Sequence, residues 1–148
     1  MEINLSNEMR QLNHLLGETN AVYHDLTVKL GLSDSSMYLL YTLAYHGGRC
    51  PLRDICRLTG ISKQTLNSAV RKLEREHILY LEAANGRQKL VCLTEAGERL
   101  AEETVSKIIE AENNIFSSWK QEDVAQYLAL SQRYLDAFRA EAKRISRE

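Results

Sequence analysis

The sequence predicts a mainly helical fold of the α+β class, in which two short helices are followed by a two-stranded β-hairpin wing. Residues 62–75 repeat apolar side chains at helical spacing. Residues 78–82 and 89–93 are rich in strand-forming residues, and Asn85-Gly86 between them is a strong hairpin-turn signal. Helix, turn, helix and hairpin in this order are typical of a winged helix-turn-helix.

The second helix of the pair has two distinct faces. Ser62 precedes it and can accept a hydrogen bond from an N–H of the first turn. One face is apolar and consists of Leu66, Ala69, Val70 and Leu73. The other face carries Gln64, Ser68, Arg71 and Arg75. Amides, hydroxyls and guanidinium groups on one exposed face can hydrogen-bond base edges or phosphates.

The elements around this helix begin and end at recognisable residues. In the preceding helix, 51–59, Pro51 suits the first helical position, and Gly60 allows the tight turn that follows. After the hairpin, Thr94 is expected to cap a long helix, 95–118. Three further helices are expected at residues 4–30, 33–46 and 121–145, the second capped by Ser33 and ended by Gly47-Gly48.

Composition limits the class of protein. With 148 residues, 44% hydrophobic and 26% charged, the chain suits one globular domain. It has no run of 18 apolar residues, and its N-terminus lacks a signal-peptide core, so we expect a cytoplasmic protein without a membrane partner. Between positions 49 and 91, nine Lys and Arg face four Asp and Glu, while the remainder is net acidic. This asymmetry favours a phosphate-binding segment between flanking helices.

The chain resembles the MarR family of winged helix-turn-helix transcriptional regulators. The resemblance is carried by GISKQTLNSAVRKLEREHIL, by Arg87 at the hairpin tip and by LTEAG at the start of the next helix. It implies a single MarR-like domain, with a winged-helix DNA-binding lobe at 33–93 and a helical dimerisation region at 1–32 and 94–148. It also implies a homodimer that binds double-stranded DNA at a pseudo-palindromic operator, as a repressor. One departure is Asn85, where the family has an acidic residue two positions before the arginine.

The DNA-binding residues that follow from this are grouped on the helix pair and the hairpin. They are Arg53, Arg57, Ser62, Lys63, Gln64, Thr65, Asn67, Ser68, Arg71, Lys72, Arg75, Arg87 and Lys89. Those expected nearest to bases are Gln64, Asn67, Ser68 and Arg71, with Arg87 in the flanking minor groove. Ion pairs with neighbouring acids are the alternative for the arginines of both helices.

The long terminal helices carry more apolar residues than a monomer of this size can cover. Those assigned to a dimer interface are Leu12, Ile108, Ile115, Phe116, Trp119, Leu128, Leu135 and Phe138. An ordinary intrachain helix bundle is the alternative.

The resemblance further implies a small aromatic or phenolic effector, for which the candidates are His14, Tyr23, His24, Tyr38, Tyr41 and Tyr45. Packing at the junction of the first two helices is the favoured interpretation of that cluster.

The cysteines and histidines give no metal-type spacing, and we expect no metal and no cofactor. Cys56 is expected to pack as a small hydrophobe, and Cys92 to face away from Val91 and Leu93. Cys50 precedes a helix start, where a thiolate would be favoured. No catalytic motif is present, so we expect no enzyme. Two alternatives stay open: a winged-helix protein–protein interaction module without DNA binding, and a small enzyme on the same scaffold.

Overall fold

The computed structural model describes residues 4–83 and 89–146. Its elements, in chain order, are α1 (Asn7–Lys29), α2 (Asp34–Tyr45), β1 (Arg49–Pro51), α3 (Leu52–Thr59), α4 (Lys63–Arg75), β2 (Leu79–Ala83), β3 (Lys89–Leu93), α5 (Glu95–Glu103), α6 (Val105–Ser118) and α7 (Gln121–Ile145). The chain forms two compact units, Met1–Lys107 and Ile108–Glu148. The mainly helical fold and the antiparallel hairpin are confirmed.

The core of the first unit is built around α2. Leu39, Leu40 and Leu43 of this helix are completely buried. The apolar face of α4 is buried as predicted, with Leu66 and Leu73 among the least accessible side chains. Burial of each such leucine contributes on the order of 2 kcal/mol, so this core fixes the position of α4.

The sheet has one strand more than the sequence predicted. Its order is β1-β3-β2, with antiparallel pairing throughout, and β1 pairs Cys50 with Val91 and Pro51 with Leu90. Pro51 is therefore the last residue of a strand and the N-cap of α3, with ψ 134°, and the expectation that it occupies the first helical position was wrong. A proline is tolerated at this position because the backbone N–H at a helix start has no intrahelical acceptor, so its loss removes no helical hydrogen bond.

The predicted helix caps are confirmed. The hydroxyls of Ser33, Ser62 and Thr94 accept hydrogen bonds from the backbone N–H three residues ahead, at 3.2, 3.1 and 3.0 Å. Gly60 ends α3 with φ 69°, a left-handed conformation that glycine adopts without a Cβ clash. The Ser62 cap and the turn at Gly60 together fix where α4 begins relative to α3.

The helix predicted at 95–118 is two helices. Thr104 separates α5 from α6 with φ −122° and ψ −85°, far from helical values. Its hydroxyl hydrogen-bonds the carbonyl oxygen of Leu100 at 2.5 Å, and Val105 beside it is fully buried. The sequence has no glycine or proline here, so tertiary packing rather than local propensity breaks the helix.

The second unit contains most of α6 and all of α7. No residue of α7 in the described part of the chain is buried. Phe116, Trp119 and Tyr127 form an edge-to-face cluster at the α6–α7 turn, with Trp119 centred 5.4 Å from Phe116 and 5.7 Å from Tyr127. None of the helices described has an apolar stretch long enough to cross a bilayer.

Candidate nucleic-acid interface

The exposed face of α4 carries the polar side chains that the sequence placed there. Gln64, Ser68, Arg71 and Arg75 are all solvent-exposed. Among residues 4–83 and 89–146, neither arginine forms an ion pair, so the alternative of pairing with Glu74 or Glu76 is not realised. Both guanidinium groups are thus available to an anionic partner.

Asn67 lies to one side of that face and is only half-exposed. It lines a cleft of about 610 Å³ between α3, α4 and the start of β3. The residues lining the cleft are Pro51, Leu52, Arg53, Cys56, Lys63, Asn67 and Lys89. The lining combines the cations Arg53, Lys63 and Lys89 with apolar side chains, and no sequence pattern predicted Leu52 or Cys56 at this place.

The two arginines of α3 share one acidic neighbour. Arg53 Nε lies 3.7 Å and Arg57 Nη2 lies 3.6 Å from Asp54 Oδ1. Both arginine side chains remain at least 70% exposed, so these ion pairs are weak and easily exchanged for another anion. The pairing expected as an alternative is therefore present without removing either arginine from the surface.

The hairpin places one cation of the predicted set within the described residues. Lys89 is exposed at the first position of β3, opposite Ala83 of β2. The predicted turn at Asn85-Gly86 and the predicted minor-groove residue Arg87 lie outside the described residues.

The C-terminal end of α4 is joined to the first turn of α5. The hydroxyl of Thr94 lies 2.7 Å from the carbonyl oxygen of His77, and the N–H of Thr94 donates to the carbonyl of Ile78 at 3.0 Å. Gly97 of α5 approaches the same carbonyl so closely that a Cβ would overlap it. The sequence identified Thr94 only as a cap, because its carbonyl partners His77 and Ile78 lie 17 and 16 residues away.

The candidate effector residues lie on α1 and α2 and make different contacts. His14 lies 3.4 Å from Glu18 along α1, whereas His24 contacts the Asp34 carboxylate at 3.0 Å and links α1 to α2. On α2, Tyr41 and Tyr45 form an edge-to-face pair with ring centres 5.6 Å apart. Tyr23 is half-buried, and Tyr38 is partly exposed on α2.

The environment of Cys50 differs from the sequence expectation. Cys50 and Cys92 are both buried, and Cys56 is half-buried. Val91, Cys92 and Leu93 are all buried, so facing away from its neighbours does not expose Cys92. Burial, followed by the charge of Asp54, raises the pKa of the Cys50 thiol, so the expected thiolate at this helix start is disfavoured. Within the described ranges, no group of three or more His, Cys, Asp or Glu side chains could hold a metal ion.

One residue assigned to the dimer interface, Ile108, is buried within the single chain. Ile108 is only 4% exposed in the single chain, so it has little surface to offer a partner. In contrast, Ile115, Phe116, Trp119, Leu128, Leu135 and Phe138 are all at least 40% exposed.

Comparison with known proteins agrees with this geometry. The model of the MarR family matches residues 30–88, which contain the helix pair. No curated protein matches the chain significantly in sequence.

Several solved structures share the fold across nearly the whole chain. A MarR family regulator from Neisseria meningitidis, NMB1585, has a TM-score of 0.81 at 18% identity, covering 93% of this chain and 98% of its own. S. aureus MepR in complex with DNA has a TM-score of 0.65 at 23% identity, covering 93% and 99%. Bordetella bronchiseptica BpsR, whose DNA binding is regulated by 6-hydroxynicotinic acid, has a TM-score of 0.58 at 21% identity, covering 84% and 98%.

The matched segment contains Ser62 and the exposed face of α4, and the shared fold includes the hairpin that follows. Residues 30–88 therefore match the MarR family model, and the chain shares the winged-helix fold of solved MarR family regulators.

Proposed function

We propose that the chain is a sequence-specific DNA-binding repressor that acts as a homodimer on a pseudo-palindromic operator. The observation that carries the proposal is the exposed face of α4, where Gln64, Ser68 and Arg71 lie together and Arg71 has no ion-pair partner among the described residues. An α-helix with such a face fits the major groove, and we call α4 the recognition helix.

Base reading is assigned to the centre of this face. Arg71 suits guanine and Gln64 suits adenine, because each can make two hydrogen bonds to one base edge. Ser68 already donates to the carbonyl of Gln64 at 3.1 Å, so it is expected to accept from a base rather than to donate. Asn67, which lies toward the cleft, reaches bases only at the edge of the footprint.

Phosphate binding is assigned to the cations around the cleft. Arg53, Lys63 and Lys89 belong to three different elements and line the same cleft. These three cations could neutralise the phosphates of a DNA backbone bound at this cleft. The other proposed backbone contacts are Arg57, Ser62, Thr65, Lys72 and Arg75, and Arg87 is proposed to enter the flanking minor groove.

Dimerisation through the terminal helices supports the two-fold operator. The exposed apolar side chains of the second unit, with Leu12 on α1, are the proposed interface. Large exposed apolar patches are rare on monomers and mark interaction surfaces. A two-fold dimer would present two recognition helices to half-sites about 10 bp apart.

A small aromatic or phenolic effector is the regulatory part of the proposal. It is supported by BpsR, whose DNA binding 6-hydroxynicotinic acid regulates, and by the partly exposed Tyr38 and Tyr45 on α2. Phenol rings would stack on such a ligand and hydrogen-bond it. We further propose a cytoplasmic protein that needs no cofactor and catalyses no reaction.

Fluorescence anisotropy with a labelled duplex of mixed sequence tests the basic claim. The expected result is binding for which the logarithm of the association constant falls linearly with the logarithm of the salt concentration, because Lys and Arg side chains displace counterions from phosphates. Absence of binding at low salt would refute the proposal and favour a protein–protein interaction module instead.

A further inference from the structure

We infer that Thr94 and Gly97 are positioning residues for DNA binding, which fasten the C-terminal end of the recognition helix to the first turn of α5. The inference rests on the proposed function and names residues that touch no DNA. It starts from the backbone of His77, the second residue after α4.

His77 has φ 57°, a left-handed conformation that is strained for a residue with a Cβ. Its N–H donates to the carbonyl of Glu74 at 3.1 Å, and the N–H of Ile78 donates to that of Leu73 at 2.9 Å. These two bonds form a Schellman motif, in which glycine usually occupies the position of His77. A histidine stays there only where the surroundings hold it.

Thr94 supplies that hold while it also caps α5. Its Oγ1 accepts a hydrogen bond from the N–H of Gly97 at 3.0 Å. Its hydroxyl donates to the carbonyl of His77 at 2.7 Å, and the carbonyl oxygen of Ile78 lies 3.1 Å from the same Oγ1. Its N–H donates to the carbonyl of Ile78 at 3.0 Å. One residue therefore satisfies an orphan N–H of α5 and binds both carbonyls that follow α4.

Gly97 allows the two segments to approach this closely. A Cβ at this position would overlap the carbonyl oxygen of Ile78 and would lie 3.1 Å from Cδ2 of Leu93. The obstacle is backbone, so it cannot rotate away as a side chain can. Any side chain at position 97 must push α5 from the end of α4.

The direction of the recognition helix is therefore set at both ends. Ser62 and the turn at Gly60 define its start, and the Thr94–His77 hydrogen bond defines its end. Base-edge hydrogen bonds need side chains placed within about 0.5 Å, whereas salt-dependent attraction to phosphates tolerates larger errors. Loosening this junction should therefore reduce discrimination between sequences more than it reduces affinity for DNA in general.

Thr94→Asp separates the two tasks of Thr94. Aspartate caps helices as well as threonine does, but as a carboxylate it cannot donate to the carbonyl of His77. Thr94→Ser keeps both tasks, and Gly97→Ala displaces α5 directly. Ser6→Asp changes the cap of α1 in the same way, and Gly17→Ala adds a Cβ that meets nothing within 4 Å, so these two are the matched controls.

The readout is the ratio of affinities for a selected operator and a random duplex of equal length. It is measured on full-length protein at a temperature where circular dichroism shows each variant folded. The added charge of aspartate repels both duplexes alike, so it cancels in the ratio. We expect Thr94→Asp and Gly97→Ala to lower the ratio about three- to tenfold, the effect of losing one hydrogen bond. Thr94→Ser and both controls should keep the ratio of the parent.

An unchanged ratio in folded Thr94→Asp would overturn the inference, as would an equal loss for Thr94→Ser. If Gly97→Ala does not fold, the two Thr94 variants decide alone. Failure of the parent protein to prefer any duplex would instead refute the proposed function, and the inference with it.

Discussion

Tyr80 lies directly opposite Cys92 in the antiparallel pairing of β2 and β3. The charge of Glu82, followed by the electrostatic interaction with Cys92, raises the pKa of the Tyr80 phenol. Burial is the first cause that raises the pKa of the Cys92 thiol, with Glu82 second. Cys50 of β1 is likewise buried with a raised pKa. The sheet therefore holds two thiols in their neutral form.

These thiols predict a loss of stability in alkali. Above the ordinary thiol pKa of 9.0, cysteines of the unfolded chain lose protons that the folded chain retains, so the free energy of unfolding falls as pH rises. Urea midpoints at pH 7.5 and 10 measure the effect, with the Cys50→Ala/Cys92→Ala double variant as control. The parent should lose more stability than the variant over this interval, and an equal loss in both would contradict the assignment.

Cys56 is expected to be the accessible thiol, and DNA should cover it. It is half-buried in the wall of the cleft beside Arg53 and Lys63, whereas Cys50 and Cys92 are 2% and 1% exposed. Maleimide labelling followed by peptide mass spectrometry should therefore modify Cys56 first. Bound operator should slow that reaction. Buffer of equal ionic strength without DNA should not. Equal labelling with and without operator would place the DNA backbone away from this cleft.

Base contacts and phosphate contacts should separate in a salt titration. Arg71→Ala should cost about 1–3 kcal/mol of binding free energy and relax preference at one base pair. Lys63→Ala should weaken all sequences alike and reduce the salt slope by about one unit. Lys143→Ala, an exposed cation in the last turn of α7, is the control and should do neither. The same salt slope in Lys63→Ala as in the parent would remove this residue from the phosphate contacts.

Dimer formation is expected to depend on the exposed apolar residues of α7. Phe138 is 59% exposed and stacks with Tyr134 at a centroid distance of 6.2 Å. Phe138→Asp would bury an unpaired carboxylate in the proposed interface, so analytical ultracentrifugation should show monomer or aggregate where the parent is a dimer. Leu58→Asp, on α3, has a similarly exposed parent residue and should remain dimeric. A well-folded monomeric parent would refute the interface.

The sequence predicted the parts of this fold that local chemistry determines. Ser62 and Thr94 are caps that three or four neighbouring residues specify, and the apolar face of α4 follows from helical periodicity alone. Strand β1 was not predicted, because three residues containing a proline become a strand only when β3 lies beside them. The break at Thr104 likewise depends on packing, since the surrounding sequence is continuously helical in pattern.

For the candidate site, too, the sequence predicted the features of a single helix and missed those that depend on several elements. The exposed positions of Gln64, Ser68 and Arg71 followed from their spacing. The place of Asn67 in a cleft depends on α3 and β3, which helical periodicity does not contain. The burial of Cys50 has the same origin, because the strand that buries it was not expected.

Selection of bound duplexes from a random library, repeated with Arg71→Ala and Arg87→Ala, is the decisive measurement of sequence-specific DNA binding. We expect enrichment of a pseudo-palindrome with half-sites about 10 bp apart. Both variants should bind that operator more weakly, with the Arg87→Ala loss largest at A·T-rich flanks. No enriched sequence, or parental affinity in both variants across a salt titration, would contradict DNA reading by α4 and the wing.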